Sequence, residues 1–323
     1  MILTYISFFC SKIFIIVHRW HREEKRCVVG KKKCIQNTMG GRIRVSTPRK
    51  KGGEGGGGDD DICVVTVSDA ATKNSLDRTS LRELAGTVAR ESTRSSVTKC
   101  IVLTGEGDAF SSGIDLKRAP EVFGMDEFDY ESDPVYQMEK CEIPIICVVP
   151  GVAINAGFEI ALAADVILVT RNARFIDTHM ELGLLPSWGL SSKLSRAIGI
   201  NNAKLVSAFR ETLSGEEAVR LGLAQKKVFD GKQEAMEEAM KLARRMIEKS
   251  RSKERARVAL EVIDKGFEKT YGDARMSERK NAFAQYRSLP LEDTFSRPRR
   301  RERGERENVV AAAEEEEEIR SKL

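Results

Sequence analysis

Residues 143–165, IPIICVVPGVAINAGFEIALAAD, decide the fold of this chain. The run at the start of this segment is almost entirely apolar, which is typical of a strand buried on both faces. A turn of small residues follows at Asn155-Ala156-Gly157, and it leads directly into a helix that carries Glu159 in its first turn. Because the first N–H groups of a helix have no intrahelical acceptor, the segment places free peptide donors beside a carboxylate. Such a pair can polarise a carbonyl group and move a proton next to it.

Strands and helices alternate on both sides of this segment. Short apolar runs predict strands, whereas longer amphipathic stretches with polar or glycine boundaries predict helices. The predicted strands are 62–67, 100–105, 143–149, 166–170, a short strand around Phe175, and 224–229; the predicted helices are 75–91, 191–199, 201–209, a helix that begins with a capping box at Ser214 and stops at Gly222, and a helical region from Gln233 to Tyr286. This alternation, followed by terminal helices, predicts an α/β architecture.

Charged and glycine-rich segments predict where the folded part begins and ends. Residues 50–61, KKGGEGGGGDDD, have nothing to bury and are typical of a linker, so we expect folded structure to start at Ile62. The predicted organisation is a disordered extension and linker over 1–61, a strand-and-helix core over 62–230, a helical region over 231–290, and a charged disordered tail over 291–323.

Composition excludes several classes of protein. The chain has 323 residues and a net charge of +5, but much of the basic excess lies in the flanks rather than on a face interleaved with aromatic residues, so we expect no nucleic-acid partner. Its seven cysteines form no C-x-x-C pair, which disfavours structural zinc and favours a reducing compartment.

The two ends of the chain carry conflicting candidate targeting signals. Residues 2–17 are strongly apolar, but the run is shorter than the roughly 20 residues of a membrane span and is interrupted by Lys12. It is interpreted either as a marginal signal-anchor or as an extension with no role in the fold. The last three residues, Ser321-Lys322-Leu323, match a peroxisomal address, which predicts binding to the peroxisomal import receptor. We favour this terminal signal and predict a peroxisomal location.

A second motif accompanies the opening segment. Residues 110–116, FSSGIDL, follow the strand at 100–105, just as residues 154–159 follow the strand at 143–149. Two such turns, brought together, can offer two peptide N–H groups to one oxygen, and loss of one donor of this kind typically slows an enzyme by about a hundredfold to a thousandfold. Either turn alone is equally explained by tight strand–helix packing of small residues, whereas the pair favours an oxyanion hole.

Together these motifs resemble the crotonase, or enoyl-CoA hydratase/isomerase, superfamily over roughly Ile62 to Tyr286. The stretches that carry the resemblance are CIVLTGEGDAFSSGIDL, IPIICVVPGVAINAGFEIALAADVIL, ARFIDTHMELGLLPSWGLSSKLSRAIG and LSGEEAVRLGLAQKKV. The third stretch, with ESDPVYQMEK upstream and the final SKL, is most similar to plant peroxisomal enoyl-CoA hydratase/isomerase-like proteins.

The resemblance implies a ClpP-like spiral of ββα units, with C-terminal helices that mediate a homotrimer or hexamer. It also implies an acyl-CoA thioester as substrate, with no cofactor beyond the CoA of the substrate, and a carbonyl bound by the backbone N–H groups of Ile114 and Ala156. The implied substrate-binding residues are Ala71, Lys73, Ser112, Asp115, Leu116 and Thr178.

The resemblance is weaker for the acid/base residues. Family hydratases use two glutamates twenty positions apart; Glu159 matches the first, but His179 stands at the second position, and Glu181 lies two places out of register. A histidine can act as acid or base because its ordinary pKa of about 6.5 lies near neutral pH. The alternatives are that His179 is only a structural hydrogen-bonding residue and that Glu159 only stabilises the helix dipole.

The leading hypothesis is an enzyme that hydrates or isomerises the double bond of an enoyl-CoA in peroxisomal fatty-acid β-oxidation, with Glu159, alone or with His179, as acid/base. Ser68-Asp69-Ala70 and Pro150 depart from the family pattern. They leave open a catalytically impaired acyl-CoA-binding paralogue. A thioester hydrolase on the same scaffold is the third hypothesis.

Overall fold

The computed structural model describes residues 42–47, 61–94, 97–124, 129–250 and 253–288. The strands within these ranges are β1 Ile43–Ser46, β2 Ile62–Val67, β3 Cys100–Gly105, β4 Ile145–Val149, β5 Val152–Ile154, β6 Val166–Thr170, β7 Arg174–Ile176, β8 Leu213–Ser214 and β9 Val228–Phe229. The helices are α1 Arg78–Thr93, α2 Ala119–Phe123, α3 Pro134–Glu139, α4 Ala156–Leu162, α5 Leu190–Ile198, α6 Ile200–Ser207, α7 Gly215–Arg220, α8 Lys232–Lys249, α9 Lys253–Phe267 and α10 Tyr271–Ser288, with short 3-10 helices at Ala70–Thr72 and His179–Leu182.

A six-stranded sheet in the order β1-β2-β3-β4-β6-β9 forms the centre of the fold. Its neighbours pair in parallel except for β1 and β2, which are antiparallel. Strands β2, β3 and β4 are apolar on both faces because successive side chains alternate between two hydrophobic clusters, one of which includes the alanines of α8. This double burial explains why these strands read as unbroken apolar runs.

A second, three-stranded sheet in the order β5-β7-β8 lies at the ends of the central strands. The chain passes from β4 through Pro150 and Gly151 into β5 and then into α4, and from β6 through a turn into β7. A side chain at Gly151 would collide with the carbonyl oxygen of Asp108, so this crossing requires glycine. The repeated strand–strand–helix order confirms the predicted spiral of ββα units.

Most predicted elements are confirmed, with shifted ends. The capping box between Ser214 and Glu217 is present, and Gly222 has the positive φ of 88° expected after a helix. The predicted strand 143–149 begins at Ile145, and the separate strand β5 was not predicted. The long helical region after Gln233 is divided into α8, α9 and α10.

The cysteines of the central strands behave as small apolar residues. Cys63, Cys100 and Cys147 are free and buried, in accord with the apolar runs that contain them. Burial raises the pKa of the Cys63 thiol to about 12. A thiol in this environment stays protonated and unreactive at neutral pH.

The prediction that folded structure begins at Ile62 is wrong. Strand β1 lies within the predicted extension and pairs with β2 from Ile43 opposite Val67 to Ser46 opposite Val64. Ile43 is only 4% exposed, and Arg42 forms an ion pair with Asp69. The pattern of β1 is too short to stand out from the basic residues around it. Residues 1–41 and 48–60 of the predicted extension and linker lie outside the described residues, and so does the charged tail over 291–323. The apolar run 2–17 and Ser321-Lys322-Leu323 fall in these parts. None of the described helices has both the length and the apolar composition that crossing a membrane requires.

Candidate active site

Two peptide N–H groups at the ends of the central strands have no acceptor among the residues that the structure describes. Ala156 is the first residue of α4, where a helical N–H has no intrahelical partner. At Ile114, a bridge to Leu76 uses the neighbouring groups: the N–H of Leu76 donates to the carbonyl of Gly113, and that of Asp115 donates to Leu76, both at 2.8 Å. The N–H of Ile114 therefore faces away from Leu76. Within the described residues, neither the Ile114 nor the Ala156 N–H donates to a protein acceptor.

Glycines bring the two turns into direct contact. A Cβ atom at Gly113 would lie 2.7 Å from the carbonyl oxygen of Ile154 and 3.6 Å from the backbone nitrogen of Ala156. A Cβ atom at Gly157 would lie 2.6 Å from the carbonyl oxygen of Ser111. Because these approaches exclude any side chain, the glycines of both motifs are required for the turns to meet. The two predicted donor peptides are thereby placed beside one another.

Glu159 is buried in the first turn of α4, the helix that begins with the Ala156 donor. Glu159 is 2% exposed, and its Oε1 atom accepts hydrogen bonds from the backbone N–H groups of Trp188 at 2.7 Å and of Leu190 at 3.4 Å. Burial raises its pKa above the ordinary value, and this effect outweighs the Trp188 hydrogen bond and the attraction of a positive charge on His179. A carboxyl group with a raised pKa is suited to act as an acid as well as a base.

His179 lies near Glu159 and is paired with Asp177. The Nδ1 atom of His179 is 2.8 Å from Oδ1 of Asp177, which also accepts the backbone N–H of His179 at 3.0 Å. Burial alone would raise the pKa of Asp177, but the hydrogen bonds from the His179 ring and backbone outweigh it and lower the pKa. An ionised Asp177 holds the ring with a proton on Nδ1 and leaves Nε2 as the proton acceptor. Sequence reasoning missed Asp177, although the DTH triplet placed it two residues before the candidate histidine.

The comparison with known families shows which family the chain belongs to. The family model described as "Enoyl-CoA hydratase/isomerase" matches residues 57–289. The chain belongs to the enoyl-CoA hydratase/isomerase family. It is accordingly an enzyme of that family, whose description covers both hydration and isomerisation.

Relatives and solved structures agree with this assignment. "Probable enoyl-CoA hydratase 1, peroxisomal" from Arabidopsis thaliana is 40% identical over 233 residues, which cover 72% of this chain and 85% of the relative. The "Short-chain-enoyl-CoA hydratase" of Clostridium acetobutylicum is 30% identical over 190 residues, which cover 58% of this chain and 72% of the relative. The structure of a putative enoyl-CoA hydratase from Thermobifida fusca YX in complex with acetoacetyl-CoA matches with a TM-score of 0.65 at 22% identity, covering 77% of this chain and 96% of that chain. This last likeness supports the crotonase fold.

Glu181, the displaced glutamate, has a partner of its own. It lies in the short 3-10 helix that begins at His179, and its carboxylate forms an ion pair with Arg210. The Glu181 side chain is about a third exposed, in contrast to the buried Glu159 and His179. The structure therefore places His179, and not Glu181, among the buried titratable residues with Glu159 and Asp177.

The predicted substrate-binding residues fall into three groups. Ala71 and Lys73 are exposed in and just after the first 3-10 helix, and Ser112 is tied to them because its N–H donates to the Lys73 carbonyl and its Oγ to the Thr72 carbonyl, both at 2.9 Å. Asp115 and the exposed Leu116 follow the Ile114 donor directly. Thr178 lies between the members of the Asp177–His179 pair, and its hydroxyl accepts a hydrogen bond from Asn155. Across the described ranges, no group of three or more His, Cys, Asp or Glu residues has the geometry to hold a metal ion.

Proposed function

We propose that this enzyme hydrates or isomerises the carbon–carbon double bond of an enoyl-CoA thioester. The observation that supports this most strongly is that the Ile114 and Ala156 turns meet while neither N–H has a protein acceptor among the described residues. The buried Glu159 lies in the first turn of the helix that begins at Ala156. The Thermobifida fusca relative in complex with acetoacetyl-CoA supports an acyl-CoA ligand. The Arabidopsis and Clostridium relatives that carry hydratase names support this reaction class.

In the proposed mechanism the thioester carbonyl oxygen accepts hydrogen bonds from Ile114 and Ala156. These bonds stabilise the negative charge that develops on that oxygen as an enolate forms. In hydration, a water oxygen bonds to the β-carbon, one water proton passes to a base, and a proton is added to the α-carbon. In isomerisation of a 3-enoyl thioester, a proton leaves the α-carbon, the double bond moves from the β,γ to the α,β position, and a proton is added to the γ-carbon. Both reactions need these donors and at least one acid/base group.

The two acid/base groups take different roles in hydration. Glu159, whose pKa is raised by burial, supplies the proton for the α-carbon. The Nε2 atom of His179, whose ring is held by Asp177, takes the proton from the attacking water. No metal or redox group is needed, because peptide N–H groups stabilise the charge on the carbonyl oxygen. Enzyme treated with EDTA and desalted is expected to keep its activity.

Steady-state assays with crotonyl-CoA and a 3-enoyl-CoA test the proposal. We expect Glu159→Gln to lower kcat by about a hundredfold or more, since removal of a positioned acid/base typically costs this much. Unchanged activity in folded Glu159→Gln enzyme would remove Glu159 from the mechanism. Tight acyl-CoA binding by calorimetry without product from a panel of enoyl-CoAs would favour the binding paralogue. Release of free CoA from wild-type enzyme, detected with a thiol reagent, would favour a thioester hydrolase.

We also propose that the enzyme works in peroxisomal fatty-acid β-oxidation and reaches the peroxisome through an import receptor. The support is the terminal Ser321-Lys322-Leu323 and the peroxisomal name of the Arabidopsis relative. A fluorescent protein fused ahead of residue 1 leaves the tripeptide free and is expected to give punctate fluorescence that coincides with a peroxisomal marker. The same fusion without residues 321–323 is expected to be diffuse. Diffuse signal from the intact fusion would contradict the proposal.

The proposed assembly is a homotrimer or hexamer formed through the C-terminal helices. Apolar side chains on α9 and α10 are exposed in the single chain, among them Ile263, Phe267, Tyr271 and Met276. A soluble protein rarely leaves a large cluster of such side chains in contact with water, and burial against a second copy removes the cost.

A further inference from the structure

Asn155 links the two halves of the candidate active site. Its Nδ2 atom donates to Oγ1 of Thr178 at 2.8 Å, and its Oδ1 accepts the backbone N–H of Thr178 at 2.7 Å. The backbone N–H of Asn155 donates to the carbonyl of Ile176 at 3.0 Å. Three hydrogen bonds therefore join the turn that carries the Ala156 donor to the segment that carries Asp177 and His179.

The backbone of Asn155 has an unusual conformation that sets the direction of the Ala156 N–H. Asn155 has φ of 47° and ψ of −111°, a combination that residues with a Cβ rarely adopt. These angles set the orientation of the next peptide plane, which contains the Ala156 N–H. Both the amide oxygen and the amide nitrogen of the Asn155 side chain are bound to Thr178, so rotation of this side chain is restricted from two directions.

Thr178 connects the Asn155 side chain to the segment that carries His179. It is the residue immediately before the 3-10 helix of His179–Leu182, and it stands between Asp177 and His179 in the chain. A shift of Thr178 therefore moves Asp177 and His179 together. A shift of Asn155 changes the direction of the donor that faces the thioester oxygen.

We propose that Asn155 is a positioning residue that fixes the Ala156 N–H and the His179 ring relative to each other. This inference rests on the proposed function for the identity of the reaction, but it makes a separate claim about geometry. Asn155 itself need not touch the substrate. Its side chain acts through Thr178, and its backbone acts through the peptide of Ala156.

The test variant is Asn155→Gly. Glycine accepts the positive φ without strain, so this variant removes the side-chain link while sparing the turn from steric conflict. The matched control is Lys226→Gly, a second replacement of a non-glycine residue with positive φ, here 72°. Lys226 lies two residues before β9, the two-residue strand at the edge of the central sheet. Both variants gain the same backbone freedom in the unfolded state.

Two measurements separate positioning from folding. The first is the division of the effect between kcat and KM for crotonyl-CoA. The second is the absorbance of a bound chromophoric enoyl-CoA, whose maximum moves to longer wavelength when its carbonyl is polarised. We expect Asn155→Gly to lower kcat by about tenfold to a hundredfold with little change in KM, because small misplacement of reacting groups costs this much. We also expect it to reduce the absorbance shift, whereas Lys226→Gly changes neither.

Variants of Thr178 test the path of the effect. Thr178→Val removes the bond from Nδ2 of Asn155 but keeps the backbone N–H that binds Oδ1, so we expect a smaller loss of kcat than in Asn155→Gly. Thr178→Ser keeps the hydroxyl and is expected to retain more activity than Thr178→Val. In the Asn155→Gly background, Thr178→Val is expected to cause little further loss, because the two changes break the same link.

The outcomes are distinguishable. Wild-type kcat and a full absorbance shift in folded Asn155→Gly enzyme would overturn the inference, as would an equal loss in Lys226→Gly. A wild-type enzyme that polarises the chromophore but turns over no enoyl-CoA would refute the proposed function alone. In that case the absorbance shift of Asn155→Gly would still decide whether Asn155 positions the donor.

Discussion

Asp177 illustrates how a single buried carboxylate can set the state of a neighbouring ring. It is 3% exposed, and its Oδ1 accepts hydrogen bonds from both the side chain and the backbone of His179. Hydrogen bonds to the ionised form lower its pKa, so Asp177 stays charged throughout the neutral pH range. The charge favours one tautomer of the ring and stabilises a positive charge on it during proton transfer.

The change Asp177→Asn is expected to reduce kcat by about a hundredfold or more, because an amide no longer enforces the tautomer or stabilises the protonated ring. The measurement is the pH dependence of kcat and kcat/KM for crotonyl-CoA. The matched control is Asp61→Asn, which removes a partly buried ion pair with Lys99 next to the start of β2 and is expected to leave both constants unchanged. An Asp177→Asn enzyme with the wild-type pH profile would show that the aspartate serves folding only.

Glu159 is predicted to lower the stability of the enzyme at neutral pH. Its pKa is raised in the folded protein, so folding holds the proton more tightly than the unfolded chain does. The stability that this proton contributes is present at acid pH and is lost as pH rises through the raised value. Glu159→Gln removes this dependence, so its Tm is expected to exceed that of wild type by a few degrees at pH 8.

The Tm difference between Glu159→Gln and wild type should shrink as the pH is lowered toward 5. Thermal unfolding at a series of pH values measures it. Because glutamine keeps an oxygen that can accept the N–H groups of Trp188 and Leu190, these two hydrogen bonds near the start of α5 are retained. A lower Tm for Glu159→Gln at every pH would contradict the assignment of a raised pKa.

At the level of elements, α4 meets the turn after β3 through Gly157. A Cβ atom at this position would lie 2.6 Å from the Ser111 carbonyl oxygen, which is backbone and can move aside only if the turn moves. Gly157→Ala is therefore expected to cost about 1–3 kcal/mol of unfolding free energy, the usual range for overpacking. It is also expected to lower kcat, because it separates the two donor turns.

The control for Gly157→Ala is Gly231→Ala, at the residue before α8. In the described part of the chain, no heavy atom lies within 4 Å of a Cβ built there, and φ is −149°, which alanine adopts freely. Denaturant unfolding and the crotonyl-CoA assay should show wild-type behaviour for Gly231→Ala. Equal effects of the two changes would mean that the contact between the turns does not matter.

Strand β1 is predicted to contribute to stability although a glycine-rich segment separates it from β2. Ile43 is 4% exposed and belongs to the main hydrophobic cluster. Ile43→Ala is expected to lower the free energy of unfolding by about 2–4 kcal/mol, as other large-to-small changes in a core do. Ser46→Ala, at an exposed position of the same strand, should change it by less than about 0.5 kcal/mol. Equal stability of Ile43→Ala and wild type by urea unfolding would contradict this.

At the scale of the whole molecule, the proposed assembly into a trimer or hexamer can be tested by substitutions on α9 and α10. Phe267 and Tyr271 are 66% and 85% exposed and lie on either side of the turn between α9 and α10. If these helices form the subunit contact, the double change Phe267→Ser and Tyr271→Ser should shift the protein toward monomers in light scattering at micromolar concentration. The control is Arg171→Ser with Asp230→Ser, an exposed ion pair elsewhere on the surface. A wild-type protein that is monomeric would contradict the proposed trimer.

Much of this architecture could be predicted because the strands of a doubly covered sheet are apolar throughout. The runs that became β2, β3 and β4 are visible in the sequence, and the FSSGIDL and INAGFE turns follow such runs. The short strands β1 and β5 were missed because three or four residues carry too little periodicity to be recognised. These strands are stabilised by pairing with neighbouring strands, and that pairing cannot be recognised from the few residues of the strand itself.

The candidate site was predictable in its types of residue and less so in its connections. Ile114, Ala156, Glu159 and His179 were identified from motifs, but Asp177 and Asn155 were not given roles. Their roles depend on hydrogen bonds between segments that are separate in the sequence, such as the 23-residue separation between Asn155 and Thr178. The spacing of residues in a sequence predicts which side chains are neighbours on one helix or strand. Contacts between separate turns can be identified only once the fold is known.

The antiparallel pairing of β1 also has a consequence for how the protein can be handled. Strand β2, ICVVTV, is rich in β-branched residues, carries no charge and contains no proline, the composition that favours intermolecular β-sheet association. Its outer edge is covered by β1 along Val64 to Val67. A shortened protein that starts in the glycine-rich segment would present this edge to other chains. Such a protein is expected to aggregate on purification, so expression designs should retain residues 42–47.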